Sequence, residues 1–172
     1  PRWNSIKAPV ETRAASAVAV RGKLYLMGGI ASDRKPSRAV HVFDTASSTW
    51  SQGPDLPTDG FGMAAIGEEA TGRVLATTRD GSVLELERGA WKELGKLTFP
   101  RFFHRLAWLS PTEVVAIGGI TWMHTHGRTK LLETFSLGKK AAESSRAEIA
   151  FPGQAKNRQA IVLKDDFLYV FG

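Results

Sequence analysis

The sequence contains no cysteine among its 172 residues. Disulfide bonds and thiolate metal sites are therefore excluded, and a reducing compartment is permitted without being established, so the localisation stays unknown. Methionine and tyrosine are also scarce, with 3 and 2 residues. No stretch approaches the roughly 18 consecutive apolar residues of a transmembrane helix, so we expect no membrane partner.

Recognisable catalytic motifs are absent as well. The chain has no Gly-x-x-x-x-Gly-Lys-Ser/Thr loop for phosphates, no Gly-x-Ser-x-Gly elbow and no His-Glu-x-x-His segment. Its net charge of +6 is mild and comes without a run of Lys and Arg. We therefore expect no nucleic-acid partner, leave the catalytic residues unknown and favour a non-enzymatic role.

A repeated diglycine is the main feature that the sequence does contain. Apolar runs end in Gly-Gly at residues 23–29 and 113–119, and residues 166–172 start a third copy. Gly28 and Gly118 are 90 positions apart, which is two periods of about 45 residues. Self-similarity at a period of roughly 40–50 residues is typical of propellers and solenoids.

Tryptophan marks the same period. Trp50 and Trp91 each follow an alternating strand and a polar turn, and Trp3 stands at the end of an earlier unit. Apolar residues make up 42% of the chain, and they occur in short alternating runs that predict strands rather than helices. The predicted strands lie near residues 14–20, 23–28, 39–44, 49–51, 62–67, 73–78, 82–87, 90–93, 104–109, 113–118, 131–136, 147–151, 159–163 and 166–171. We also expect Trp50 to be largely buried between neighbouring units.

Taken together, the two markers resemble the kelch repeat, in which an apolar strand ends in Gly-Gly and a tryptophan follows the next strand. Residues 13–57 carry both markers, and residues 1–9 match the end of a preceding unit. Residues 58–97 lack the diglycine, whereas 101–152 keep the diglycine but lack the tryptophan. Residues 157–172 match the first half of a further unit.

This resemblance implies an all-β propeller built of four-stranded antiparallel kelch-type blades. Kelch propellers commonly have about six or seven blades, so the resemblance also implies that the propeller is incomplete in this chain. The remaining blades would come from further sequence or from another copy. A closed ring of four blades is the less favoured alternative.

The resemblance further implies a binding face. Loops between the second and third strands of a blade share one face with the links between blades, and many kelch proteins bind a partner there. The candidate ligand-binding residues in these segments are Arg34, Arg101, Phe102, His104, Trp122, His124, His126, Arg128 and Arg158. The same segments contain Arg13, Phe61 and Phe103, with few acidic residues beside them. Arginine and aromatic groups favour carboxylates, phosphates or an acidic peptide.

His124 and His126 form a His-x-His segment, and with His104 they could offer three nitrogen ligands to zinc or copper. Solvated loop histidines explain the segment better, so we expect no metal and no cofactor.

Two classes of function fit these features. The first is an interaction or scaffold module that binds a protein or peptide partner, with acidic character expected of that partner. The alternative is a carbohydrate-active enzyme of the kelch fold, such as a sialic-acid mutarotase-like protein acting on a small acidic sugar. A copper sugar oxidase of this fold needs a Tyr–Cys pair, which the absence of cysteine excludes within this chain.

Overall fold

The structure is a computed structural model, which describes residues 5–121, 127–129, 131–137, 144–147, 160–165 and 167–171. These residues contain strands and turns but no helix, as the all-β prediction expected. The strands, in chain order, are β1 (Thr12–Arg13), β2 (Ser16–Val20), β3 (Lys23–Met27), β4 (Ile30–Ala31), β5 (Val40–Asp44), β6 (Thr49–Gln52), β7 (Ala64–Glu68), β8 (Arg73–Thr77), β9 (Ser82–Glu87), β10 (Ala90–Lys96), β11 (Arg105–Ser110), β12 (Glu113–Ile117), β13 (Ile120–Thr121), β14 (Gly127–Arg128), β15 (Leu132–Ser136), β16 (Ser144–Ala147), β17 (Ala160–Lys164) and β18 (Phe167–Phe171).

Three four-stranded antiparallel sheets are formed by the described residues. Blade 1 has the order β2-β3-β5-β6, blade 2 runs from β7 to β10, and blade 3 has the order β11-β12-β15-β16. β17 and β18 form a final hairpin. Every predicted strand overlaps an observed one, although the prediction at 147–151 does so only at Ala147 because 148–151 lie outside the described residues. The short loop strands β1, β4, β13 and β14 were not predicted.

Two-residue turns join the first and second strands of blade 1 and the third and fourth strands of blade 2. Arg21 and Gly22 have φ values of 47° and 71°, as the mirror-image turns of two-residue hairpins require. Arg88 and Gly89 make the corresponding kind of turn between β9 and β10, with φ values of 51° and 81°. These turns lie at the edge of each blade opposite to the diglycines.

The diglycines end the second strands because a side chain does not fit there. A Cβ on Gly28, whose φ is +65°, would lie 2.5 Å from the Cα of Gly60. The amide of Gly29 instead donates to the Gly60 carbonyl at 3.0 Å, which ties blade 1 to the link that enters blade 2. The loop of residues 30–38 is thereby held over this end of the molecule.

Hydrophobic residues pack between successive blades, following the two-residue period of a strand. On β8, Val74 and Ala76 belong to the core shared with blade 1, and Leu75 belongs to the core shared with blade 3. On β12, Val115 and Ile117 pack toward the final hairpin. Each sheet therefore buries its faces only with the help of its neighbours, as in a repeat protein.

The burial of Trp50 differs from the prediction. This residue is half-buried, not largely buried, and its ring packs 5.2 Å from that of Phe43. Its indole N–H donates to the Lys7 carbonyl at 3.1 Å, and that of Trp91 donates to the Pro54 carbonyl at 2.9 Å. Both indoles thus hold a neighbouring chain segment, and Trp91 also packs against the core between blades 1 and 2.

In the part of the chain that the structure describes, no helix has the length and apolar character needed to span a membrane.

Candidate interaction surface

The links that enter the three blades run side by side on the face that carries the diglycine loops. Ala14, Gly62 and Phe103 each stand two residues before the first strand of their blade, and their φ values are 57°, 64° and 57°. The amide of Gly62 donates to the Ala14 carbonyl at 3.1 Å, and the amide of Phe103 donates to the Gly62 carbonyl at 2.7 Å. A continuous row of backbone hydrogen bonds therefore joins one blade entry to the next.

Three phenylalanines cluster on this row. The ring of Phe61 lies 5.8 Å from that of Phe102 and 5.3 Å from that of Phe103, with the second pair edge to face. Phe102 and Phe103 are 4.9 Å apart. Such tilted contacts are favourable for aromatic rings because the edge of one ring meets the face of another. Phe102 is mostly buried at 9% exposure, whereas Phe103 is half-buried.

A cleft of about 490 Å³ opens beside this cluster, and its lining residues are Arg13, Ala14, Ile30, Phe61 and Phe103. A second cleft of about 310 Å³ adjoins it, lined by Glu11, Thr12, Arg13, Ile30, Ala31, Ser32 and Arg34. Arg13 and Ile30 belong to both clefts. We refer to the two together as the loop-face cleft.

The loop-face cleft carries two exposed guanidinium groups. Arg13 and Arg34 are exposed, and neither has an ion-pair partner among the described residues. Lys35, by contrast, pairs with Asp33 at 3.8 Å. Glu11 is the acidic residue among those that line the cleft. The arrangement gives an anion two free arginines with an aromatic wall next to one of them.

Arg101, which the sequence placed on this face, is instead fully buried at 0% exposure. Its Nη2 pairs with Glu133 Oε2 at 2.9 Å, and its Nη1 donates to the carbonyl of Leu131 at 2.8 Å. Burial lowers the pKa of Arg101, an effect that the charge of Glu133 opposes. Glu133 also accepts from the amides of Thr98 and Phe99. Arg101 therefore holds the entry to blade 3 from inside, because each of its three side-chain nitrogens donates to an internal acceptor.

His104 is likewise in the interior, at 0% exposure, and not on the surface. Its Nε2 lies 2.5 Å from Thr77 Oγ1 on blade 2, and its buried Nδ1 has no hydrogen-bond partner among the described residues. Burial, helped by the charges of Arg101 and Arg105, lowers the pKa of His104 to about 3. A neutral imidazole at this place packs between blades and cannot hold an anion by charge.

The structure describes only some of the other candidate residues. Arg34 is exposed and lines the loop-face cleft. Trp122, His124, His126 and Arg158 lie outside the described residues, and only the backbone of Arg128 is described, in β14. Within the described ranges, no group of three His, Cys, Asp or Glu residues is placed to hold a metal ion. The His-x-His segment of the metal hypothesis thus lies outside the described residues.

Comparisons with known proteins agree with the repeated sheets. A family model described as the Kelch motif matches residues 12–57. Kelch-like protein 36 of Mus musculus and that of Rattus norvegicus are each 36% identical over 66 residues, which is 37% of this chain and 11% of the relative. The chain thus matches only a small part of these relatives.

A solved structure entitled "Structure of YjhT" superposes with a TM-score of 0.67 at 14% identity. The match covers 84% of this chain and 48% of that one, so the chain spans about half of the solved protein. At this identity the likeness concerns the fold alone. The matched motif, the kelch-like relatives and this fold identify the chain as a kelch-repeat protein with β-propeller architecture.

Proposed function

We propose that the chain is an interaction module whose loop-face cleft binds an acidic segment of a protein or peptide partner. The kelch repeats and the kelch-like relatives support a role in protein interaction. The observation that carries the acidic character is the pair of exposed guanidinium groups, Arg13 and Arg34, that line the loop-face cleft, with the Phe61–Phe103 wall next to Arg13.

The chemistry of arginine explains why these two residues favour such a partner. A guanidinium group offers planar, bidentate hydrogen bonds to a carboxylate or phosphate, and it stays charged at any physiological pH. Because Arg13 and Arg34 are exposed, their charges also act on an approaching partner over about a Debye length. Binding should therefore weaken as the salt concentration rises.

Selection from a displayed library of random peptides tests this proposal on the full chain. We expect the enriched peptides to be rich in Asp and Glu, and their dissociation constants to rise with salt. Arg13→Gln and Arg34→Gln should each weaken binding by about tenfold, as the loss of one charge-assisted contact predicts.

Arg88 provides a matched control. It is an exposed arginine in a left-handed turn, as Arg34 is, but it lies in the β9–β10 turn at the opposite edge of its blade. Arg88→Gln removes the same charge and should leave the affinity unchanged. Enrichment of neutral or basic peptides, or equal losses in all three variants, would contradict the proposal.

A carbohydrate-active enzyme of the mutarotase type is the second candidate, and the size of the cleft favours it. About 490 Å³ lies within the range of small-ligand sites, and an arginine beside aromatic rings suits a sugar carboxylate. Glu11 would have to serve as its acid–base group. Interconversion of the anomers of a sialic acid, followed by proton NMR, would support this candidate if Glu11→Gln abolished it. An unchanged spontaneous rate would reject it.

A further inference from the structure

Phe103 occupies a backbone conformation that suits glycine better than phenylalanine. Its φ of 57° lies in the left-handed region, where a bulky side chain is rare because Cβ crowds the backbone. The equivalent residues of blades 1 and 2 are the small residues Ala14 and Gly62, with nearly the same φ. The left-handed turn therefore recurs in all three described blades, whereas the phenylalanine is present in only one of them.

The ring of Phe103 also has a seat that the preceding blade provides. A Cβ built on Gly62 would lie 3.1 Å from Cδ1 and Cε1 of the Phe103 ring, so the ring rests on the glycine. Phe61 meets it edge to face. Phe103 is only partly buried, and it lines the cleft that also contains Arg13. A strained residue that is held in place and faces a cleft points to function.

From these contacts we infer that Phe103 is the specificity-determining apolar contact of the loop-face cleft. It receives an aromatic or large aliphatic side chain of the partner, while Arg13 holds a carboxylate or phosphate a few residues away. The inference rests on the proposed function and narrows the partner to peptides that combine the two groups. Acidic segments without an apolar residue would bind weakly, since they would lack the apolar contact with Phe103.

Three acetylated and amidated tripeptides separate the contribution of the apolar contact from that of the charged contact. The first contains glutamate and phenylalanine, the second contains only glutamate of the two, and the third contains only phenylalanine. Their affinities for the full chain are measured by NMR titration. The probe with both groups should bind about tenfold more tightly than the glutamate probe, which is a normal contribution of one interface anchor. Phe103→Gly should remove this difference while leaving the salt dependence of the glutamate probe intact.

Arg88→Gly is the control for backbone relief, because it also places glycine at a left-handed position without touching the cleft. It should leave all three affinities unchanged, and the thermal unfolding of Phe103→Gly should remain cooperative. Equal affinities of the glutamate probe and the two-group probe, or no effect of Phe103→Gly, would overturn the role of Phe103 while leaving the acidic-partner proposal standing. A two-group probe that binds without any effect of salt or of Arg13→Gln would instead reject the acidic-partner proposal.

Discussion

The amide of Phe103 donates a 2.7 Å hydrogen bond to the carbonyl of Gly62, and the Phe103 ring covers the place that a Gly62 side chain would occupy. One residue of blade 2 thus fixes both the backbone and the ring of a residue of blade 3. Because Phe103 lines the loop-face cleft, the shape of this cleft depends on contact between neighbouring repeats. No single repeat contains the site.

Replacement of Gly62 by alanine tests this dependence. The new methyl group would press on the Phe103 ring and would also adopt a φ of 64°, which costs roughly 1–2 kcal/mol for a residue with a side chain. We expect the free energy of unfolding, measured with urea, to fall by somewhat more than this. The NMR signals of the Phe103 ring should shift.

Gly89→Ala separates the backbone cost of the left-handed conformation from the cost of the contact with the Phe103 ring. Gly89 has a φ of 81°, but a Cβ there meets nothing within 4 Å. Its replacement should therefore carry the backbone cost alone. Equal losses at Gly62 and Gly89 would show that the ring contact contributes nothing.

The buried ion pair between Arg101 and Glu133 is the basis of a second prediction. Arg101→Met leaves the carboxylate of Glu133 buried without its cation, and breaking such a pair typically costs about 3–5 kcal/mol. The measurement is the urea midpoint. Loss of the exposed Lys92–Glu87 pair through Lys92→Met should cost less than about 1 kcal/mol, because water already screens it. Similar costs for the two variants would contradict the internal position of Arg101.

His104 predicts how stability responds to acid. Its pKa is lowered to about 3 in the folded chain, whereas the unfolded chain has the ordinary value of 6.5. As the pH falls, the unfolded state therefore takes up a proton before the folded state does. The free energy of unfolding keeps its full value above pH 6.5 and decreases as the pH falls toward 3. Through His104 alone, the free energy of unfolding should change by at most about 1.4 kcal/mol per pH unit.

Replacement of His104 by glutamine should flatten that slope. Glutamine keeps a group that can bond to Thr77 but does not titrate. Urea unfolding at several pH values between neutral and acid compares the two chains. Parallel curves would show that other groups cause the acid sensitivity.

The partial burial of Trp50 limits how much its removal should destabilise the fold. Removal of a fully buried tryptophan costs about 3–5 kcal/mol, but Trp50 is only half-buried and donates one hydrogen bond to Lys7. Trp50→Ala should therefore cost below about 3 kcal/mol in urea unfolding. Trp50→Phe, which keeps the contact with Phe43 and loses the N–H, should cost about 1 kcal/mol. A cost of Trp50→Ala at the upper end of the range for buried tryptophan would restore the original expectation.

The strands could be predicted from the sequence because their signals are local. The diglycines at 28–29 and 118–119, the alternating apolar residues and the turns such as Arg21-Gly22 each act within a few positions. The same reasoning placed Arg34 correctly on an exposed loop of the loop face.

The positions of Arg101 and His104 could not be predicted in this way. Arg101 is buried because of Glu133, which is 32 residues away, and His104 because Thr77 of another blade meets it. A charged residue in a link between blades is normally expected to be exposed. Arg101 is buried only because the blades pack together around it. A glutamate at an inward position of β15 was the one available sign of a buried cation.

Binding of an acidic peptide through Arg13 and Arg34 is tested most directly by an NMR titration of the full chain with a glutamate-containing peptide at low salt. The arginine Nε–H signals and the backbone signals around both residues should shift together, and added salt should reverse the shifts. Shifts confined to the turns at Arg21 and Arg88, or shifts that salt does not affect, would contradict an anion site in the loop-face cleft.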